Sequence, residues 1–134
     1  MSISEAEREV AELSQKYGLE VDPSAVVEDL PVGTKQRVEI IKALYRKADI
    51  LILDEPTAGM NPVERVKILD NIRRLSAIGK TTFVIVEHDM DVVFSLSKRV
   101  IVLHHGAVIG DGSTEDVQSN PRVREVYLGE EVAS

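Results

Sequence analysis

The chain has 134 residues, 43% hydrophobic and 29% charged, a balance that fits one globular domain burying roughly two thirds of its unfolded surface. It contains no cysteine, which excludes disulfides and cysteine metal sites, and no apolar run reaches the roughly 20 residues needed to cross a bilayer. The net charge of −7 argues against a general nucleic-acid binder but leaves a bound nucleotide open, because phosphate is held by local backbone N–H groups and Mg²⁺.

The acidic N-terminus has no apolar signal core, so the expected compartment is the cytoplasm. Ser4-Glu5-Ala6-Glu7 has the form of a capping box. Val10, Leu13 and Tyr17 then share a helical face, and Gly18 stops the helix. Residues 19–29, with Asp22-Pro23-Ser24, read as a loop. Leu30-Pro31-Val32-Gly33-Thr34 leads into a helix whose apolar side is Val38, Ile41, Ala43, Leu44 and Tyr45, with Lys42, Arg46 and Lys47 towards its C-terminal end.

Ile50-Leu51-Ile52-Leu53-Asp54-Glu55-Pro56 predicts a strand buried on both faces of a parallel sheet, with two carboxylates where it leaves the core. Asn61 and Pro62 open a helix reaching about Ile78, with Val66, Leu69, Ile72 and Leu75 inward and Gly79 ending it. Thr81–Val86 predicts a second buried strand with Glu87-His88-Asp89 at its exit. A short helix through Val92, Val93 and Leu96 precedes a third strand, Arg99–Leu103. Gly106–Gly110 pairs with that strand across a turn at His104-His105-Gly106. Helical turns are expected at Thr114–Gln118 and Pro121–Leu128, and a frayed acidic tail from Glu130. Strand–helix alternation without internal repeats fits one α/β unit.

Ligands of open α/β sheets bind where strands exit. Successive strand residues point to opposite faces, so Asp54 and Glu55 are expected to differ in role. One would hold Mg²⁺, and the other would face a nucleotide and its attacking water. Two solvated acids at a strand end are the plain alternative. A right-handed crossover puts both strand exits on one sheet edge, which predicts His88 near Asp54 and Glu55. That set suits phosphoryl transfer to water, although an ordinary strand-end histidine is the other possibility for His88. A metal hydrolase independent of phosphate would rest on these three residues alone. His104 and His105 are expected to be solvated and to point apart.

From residue 3 to 129 the chain resembles the C-terminal part of an ABC-transporter ATPase. Leu30 to Arg37 resembles the signature motif, Ile50 to Pro56 Walker B, Ala58 to Asn61 the D-loop, and His88 the switch histidine. The resemblance implies an α/β fold: a partial P-loop NTPase (RecA-like) parallel sheet flanked by helices, lacking the Walker A strand and loop. It implies that Asp54 contacts Mg²⁺, that Glu55 polarises the attacking water and that His88 bonds the γ-phosphate of ATP. Further nucleotide contacts would come from Leu30, Val32, Gly33, Thr34, Asp54 and Asn61. In that division residues 1–48 are the remnant of a helical subdomain and 49–134 run from Walker B to the C-terminus. The style from Gly59 onward is similar to amino-acid or urea importers, and residues 28–57 to sugar or nucleoside importers.

The chain departs from the family at several points. Pro31 stands for a serine, Val32 for a glycine and Thr34 for a glutamine, which weakens the signature loop's contact across an ATPase dimer. No Gly-x-x-x-x-Gly-Lys-Ser/Thr occurs, so weak or no ATP binding by this chain alone is expected. Its partners would be the missing N-terminal half or a second ATPase subunit, together with transmembrane subunits at the inner face of the membrane. Non-catalytic scaffolding is the alternative. Removing the Walker A strand leaves open edges, so either the Val100 strand closes beside the Val84 strand or two chains exchange elements into a homodimer.

Overall fold

A computed structural model describes residues 2–129 of the chain, so the expected fraying from Glu130 lies outside the described residues. The chain divides after Val86 into two compact units. The first holds helices α1 (Ile3–Tyr17), α2 (Val32–Tyr45) and α3 (Pro62–Ile78) with strands β1 (Ile50–Asp54) and β2 (Thr82–Val86).

Helix α1 begins two residues earlier than its Ser4 pattern suggests. Ser2 is the cap, its hydroxyl accepting from the Glu5 amide at 3.3 Å, and Gly18 closes the helix in the left-handed conformation at φ +62°. The loop after it contains one 3₁₀ turn, Val27–Asp29, and fully buries Leu19. Asn61 caps α3, Pro62 takes its first position and Gly79 ends it at φ +76°, as the sequence predicts. The buried face of α3 is Ile68, Asn71, Ile72 and Leu75, so Val66 is outward rather than inward. On α2 the fully buried residue is Ile40, whereas Tyr45 is exposed.

Strands β1 and β2 pair in parallel, Ile50 opposite Thr82 and Asp54 opposite Val86. Neither is buried on both faces. Helix α3 packs against β2 and Leu53 is buried, while Ile50 and Ile52 remain 62% and 66% exposed beside exposed Val84 and Val86. The four-residue apolar run is therefore half of a sheet surface that stays open among the described residues.

The second unit holds α4 (Met90–Leu96), β3 (Val100–His104), β4 (Ala107–Gly112), α5 (Thr114–Ser119) and α6 (Pro121–Val123), which runs into a π-helical turn at Arg124–Leu128. The predicted hairpin forms, antiparallel, with an irregularity between Val102 and Leu103. Val100, Val102, Val117 and Val123 are its core, with Val93, Phe94 and Ile109 packed against them. Asn120 ties the hairpin to the C-terminal helix: its amide donates to the Ile109 carbonyl at 3.0 Å while its oxygen caps α6. Among the described residues the strands form two two-stranded sheets, β1 with β2 in the first unit and β3 with β4 in the second. No helix among the described residues is long and apolar enough to cross a membrane.

Candidate functional site

The carboxylate pair lies at the C-terminal end of β1. Asp54 is the last strand residue, exposed, with Val86 as its register partner. Glu55 extends the ladder by one bond, its amide donating to the Val86 carbonyl at 2.9 Å, and its own carbonyl accepts from Ala58 at 3.0 Å. At φ +45° the Glu55 backbone is left-handed, a conformation that costs a residue with a side chain on the order of 1 kcal/mol or more. Strand alternation thus stops at Asp54, and the turn rather than the pleat aims Glu55. Pro56 and Thr57 anchor that turn by burial.

Pro31 occupies the cap position of α2 and offers no side-chain cap. Leu30 is half-buried and Val32 exposed, while Thr34 is half-buried with its hydroxyl accepting from Arg37 at 3.0 Å. Gly33 is buried. A Cβ placed on it would stand 3.1 Å from Glu64 Cβ, 3.3 Å from its Cγ and 3.4 Å from its Cδ. Glu64 in turn closes a reciprocal box with Asn61: Asn61 Oδ1 accepts from the Glu64 amide at 2.9 Å, and a Glu64 carboxylate oxygen accepts from the Asn61 amide at 3.3 Å. Gly33 and Asn61, far apart in the chain, are brought together through Glu64. Sequence reasoning passed over Glu64, though the spacing Asn61-x-x-Glu64 already signals a capping box.

His88 belongs to the second unit, exposed, one residue before Asp89, which caps α4. His104 and His105 do not point apart. Their rings meet edge-on with centroids 4.1 Å apart, and Tyr127 meets His104 at 6.3 Å. Burial, then the neighbouring His105 and Arg122, push the His104 imidazole below its ordinary value, against the opposing Glu125.

No group of three His, Cys, Asp or Glu side chains that could hold a metal occurs among the described residues. An exposed carboxylate such as Asp54 is the type of group that would hold Mg²⁺ together with phosphate and water.

Comparison with known proteins gives this geometry its family. Residues 3–58 match the family model described as ABC transporter, and residues 107–133 match the one described as Branched-chain amino acid ATP-binding cassette transporter. The fold agrees. An ATP-binding cassette of an ABC transporter, MJ1267 in its ADP conformation, superposes with a TM-score of 0.76 at 29% identity, over 92% of this chain and 50% of that one. cbiO1 of Clostridium perfringens, part of the ABC transporter complex cbiONQ, superposes at 0.75 with 30% identity, over 96% and 51%. The chain is that of an ABC transporter ATP-binding domain, with the partial P-loop NTPase fold its motifs imply.

Among its relatives are import ATPases for several solutes. The glucose import ATP-binding protein TsgD13 of Haloferax volcanii is 44% identical over 94% of this chain and 22% of its own length. The nucleoside import ATP-binding protein NupA of Lactococcus lactis is 36% identical, over 99% and 26%. The branched-chain amino acid transport ATP-binding protein LivG of Salmonella typhimurium is 35% identical, over 95% and 50%. The chain spans half or less of the length of these relatives.

Proposed function

We propose that this chain supplies the Walker B, signature and switch elements of an ATP-hydrolysing subunit in an ABC importer, where ATP hydrolysis drives solute transport. The observation that carries this is the exit of β1: an exposed carboxylate at Asp54, and beside it Glu55 held in a left-handed backbone by the Val86 carbonyl. A residue kept in that conformation at the carboxyl end of a parallel strand is the kind of local strain found at functional sites.

In this proposal Asp54 is the carboxylate ligand of Mg²⁺, and bound Mg²⁺ offsets charge on the phosphate oxygens. Glu55 orients and polarises the attacking water, and His88 donates to the γ-phosphate. Leu30, Val32, Gly33, Thr34 and Asn61 form the surface offered to nucleotide across an ATPase dimer. With Pro31 lacking an N–H and Val32 bringing a side chain, that surface holds phosphate weakly. Residues 1–48 then belong to the helical subdomain and 49–134 to the portion from Walker B onward. The partners are a phosphate-loop half or second ATPase subunit and transmembrane subunits at the inner membrane face. A non-catalytic assembly role is the second reading, favoured by the open apolar face of Ile50, Ile52, Val84 and Val86.

Calorimetric titration of this chain with Mg-ATP is expected to give no micromolar binding. Joined to a segment bearing Gly-x-x-x-x-Gly-Lys-Ser/Thr, it is expected to hydrolyse ATP, and Glu55→Gln abolishes that turnover. Binding without turnover in the joined protein supports the assembly role instead.

A further inference from the structure

Gly33 lies inside α2, where glycine is a poor helix former, and its backbone is not among those with positive φ. Its conformation therefore does not require glycine. The close approach does, because the Glu64 side chain lies along the space a Cβ would fill. The nearest atom is Glu64 Cβ, fixed to the α3 backbone, so a larger residue at 33 must move α3 against α2 or drive the Glu64 side chain aside. The same side chain ends in the carboxylate that accepts from the Asn61 amide, and the Asn61 side chain accepts from the Glu64 amide in return. One residue thus touches the start of α2 with its methylenes and the turn before α3 with its carboxylate.

We propose that Glu64 is a positioning residue that ties the Gly33 loop and the Asn61 turn into one body, so that a displacement at either is transmitted to the other. This rests on the reading of both loops as nucleotide-facing, but the linkage itself is measurable with no nucleotide present. Neither contact depends on the Asp54–Glu55 pair. Failure of the linkage and failure of the ATPase reading are therefore separate outcomes.

The test is the backbone amide resonance of Asn61 in ¹H–¹⁵N spectra of the full chain. Gly33→Ala is expected to shift it, although residue 33 precedes it by almost the whole length of α2 and β1. Glu64→Gln keeps the methylenes and a carbonyl acceptor, so the Asn61 resonance should stay close to its original position and remain sensitive to Gly33→Ala. Glu64→Ala removes the acceptor and moves the Asn61 resonance, and because it keeps only the Cβ that meets residue 33, the Asn61 response to Gly33→Ala should shrink to the part carried by the α3 backbone. Packing without transmission would leave Asn61 unmoved by Gly33→Ala, which overturns the proposal. So would an Asn61 response of equal size in the Glu64→Ala background. Should Gly33→Ala fail to fold, the comparison of Glu64→Gln with Glu64→Ala still decides: equal displacement of Asn61 by both rejects the carboxylate as the link.

Discussion

The amide of Glu55 donates to the carbonyl of Val86 at 2.9 Å, one step past the Asp54–Val86 pair on which the β1–β2 register ends. The bond holds a glutamate in the left-handed region at the mouth of a parallel pair of strands. Strain of this kind separates what the backbone needs from what the chemistry needs.

That separation can be measured at position 55. Glu55→Gln keeps a straight, unbranched side chain and is expected to change stability by less than about 0.5 kcal/mol. Glu55→Val forces a β-branched residue into positive φ and is expected to cost about 1–3 kcal/mol. Both should eliminate hydrolysis in the joined ATPase. Urea unfolding distinguishes them, and equal midpoints would contradict the assigned backbone conformation.

The inward face of α3 gives a second test. Ile72 is 2% exposed and Val66 is 67% exposed. Ile72→Ala is expected to lose about 2–5 kcal/mol, whereas Val66→Ala should stay within about 0.5 kcal/mol. A comparable loss at Val66 would show that something covers the face of α3 that is open here.

Stability should also fall in acid, through identifiable groups. Lys67 donates to Glu20 at 3.1 Å, and this bond and its charge hold the carboxyl below its ordinary 4.5, with Arg37 and Arg74 contributing less. A folded value below the unfolded one means the contribution is present above 4.5 and is lost as pH falls through the lowered value. Asp111, paired with Arg99, behaves in the same way. The His104 imidazole, lowered from 6.5, adds an earlier loss: its contribution is complete above 6.5 and declines as the pH drops below it. Urea midpoints measured against pH should show Glu20→Gln flattening the lower part of the profile and His104→Gln the upper part.

What the sequence determined by itself is local. The stops at Gly18 and Gly79, the Asn61–Pro62 start of α3 and the hairpin about Gly106 were all legible, because each depends on the φ preference or hydrogen bonds of a few adjacent residues. Asp54, Glu55 and the loop around Gly33 also stand out as candidates from residue type and order alone. Only the tertiary structure decided which apolar residues are covered. Ile50 and Ile52 have the same composition signal whether or not a layer lies over them, and Val66 satisfies helical spacing as well as Ile68 does. Nor could spacing show that Glu64 reaches Gly33, because that contact joins two helices through a glycine chosen for the atom it lacks. Burial and close approach depend on which elements meet, and no stretch of chain carries that information about its neighbours.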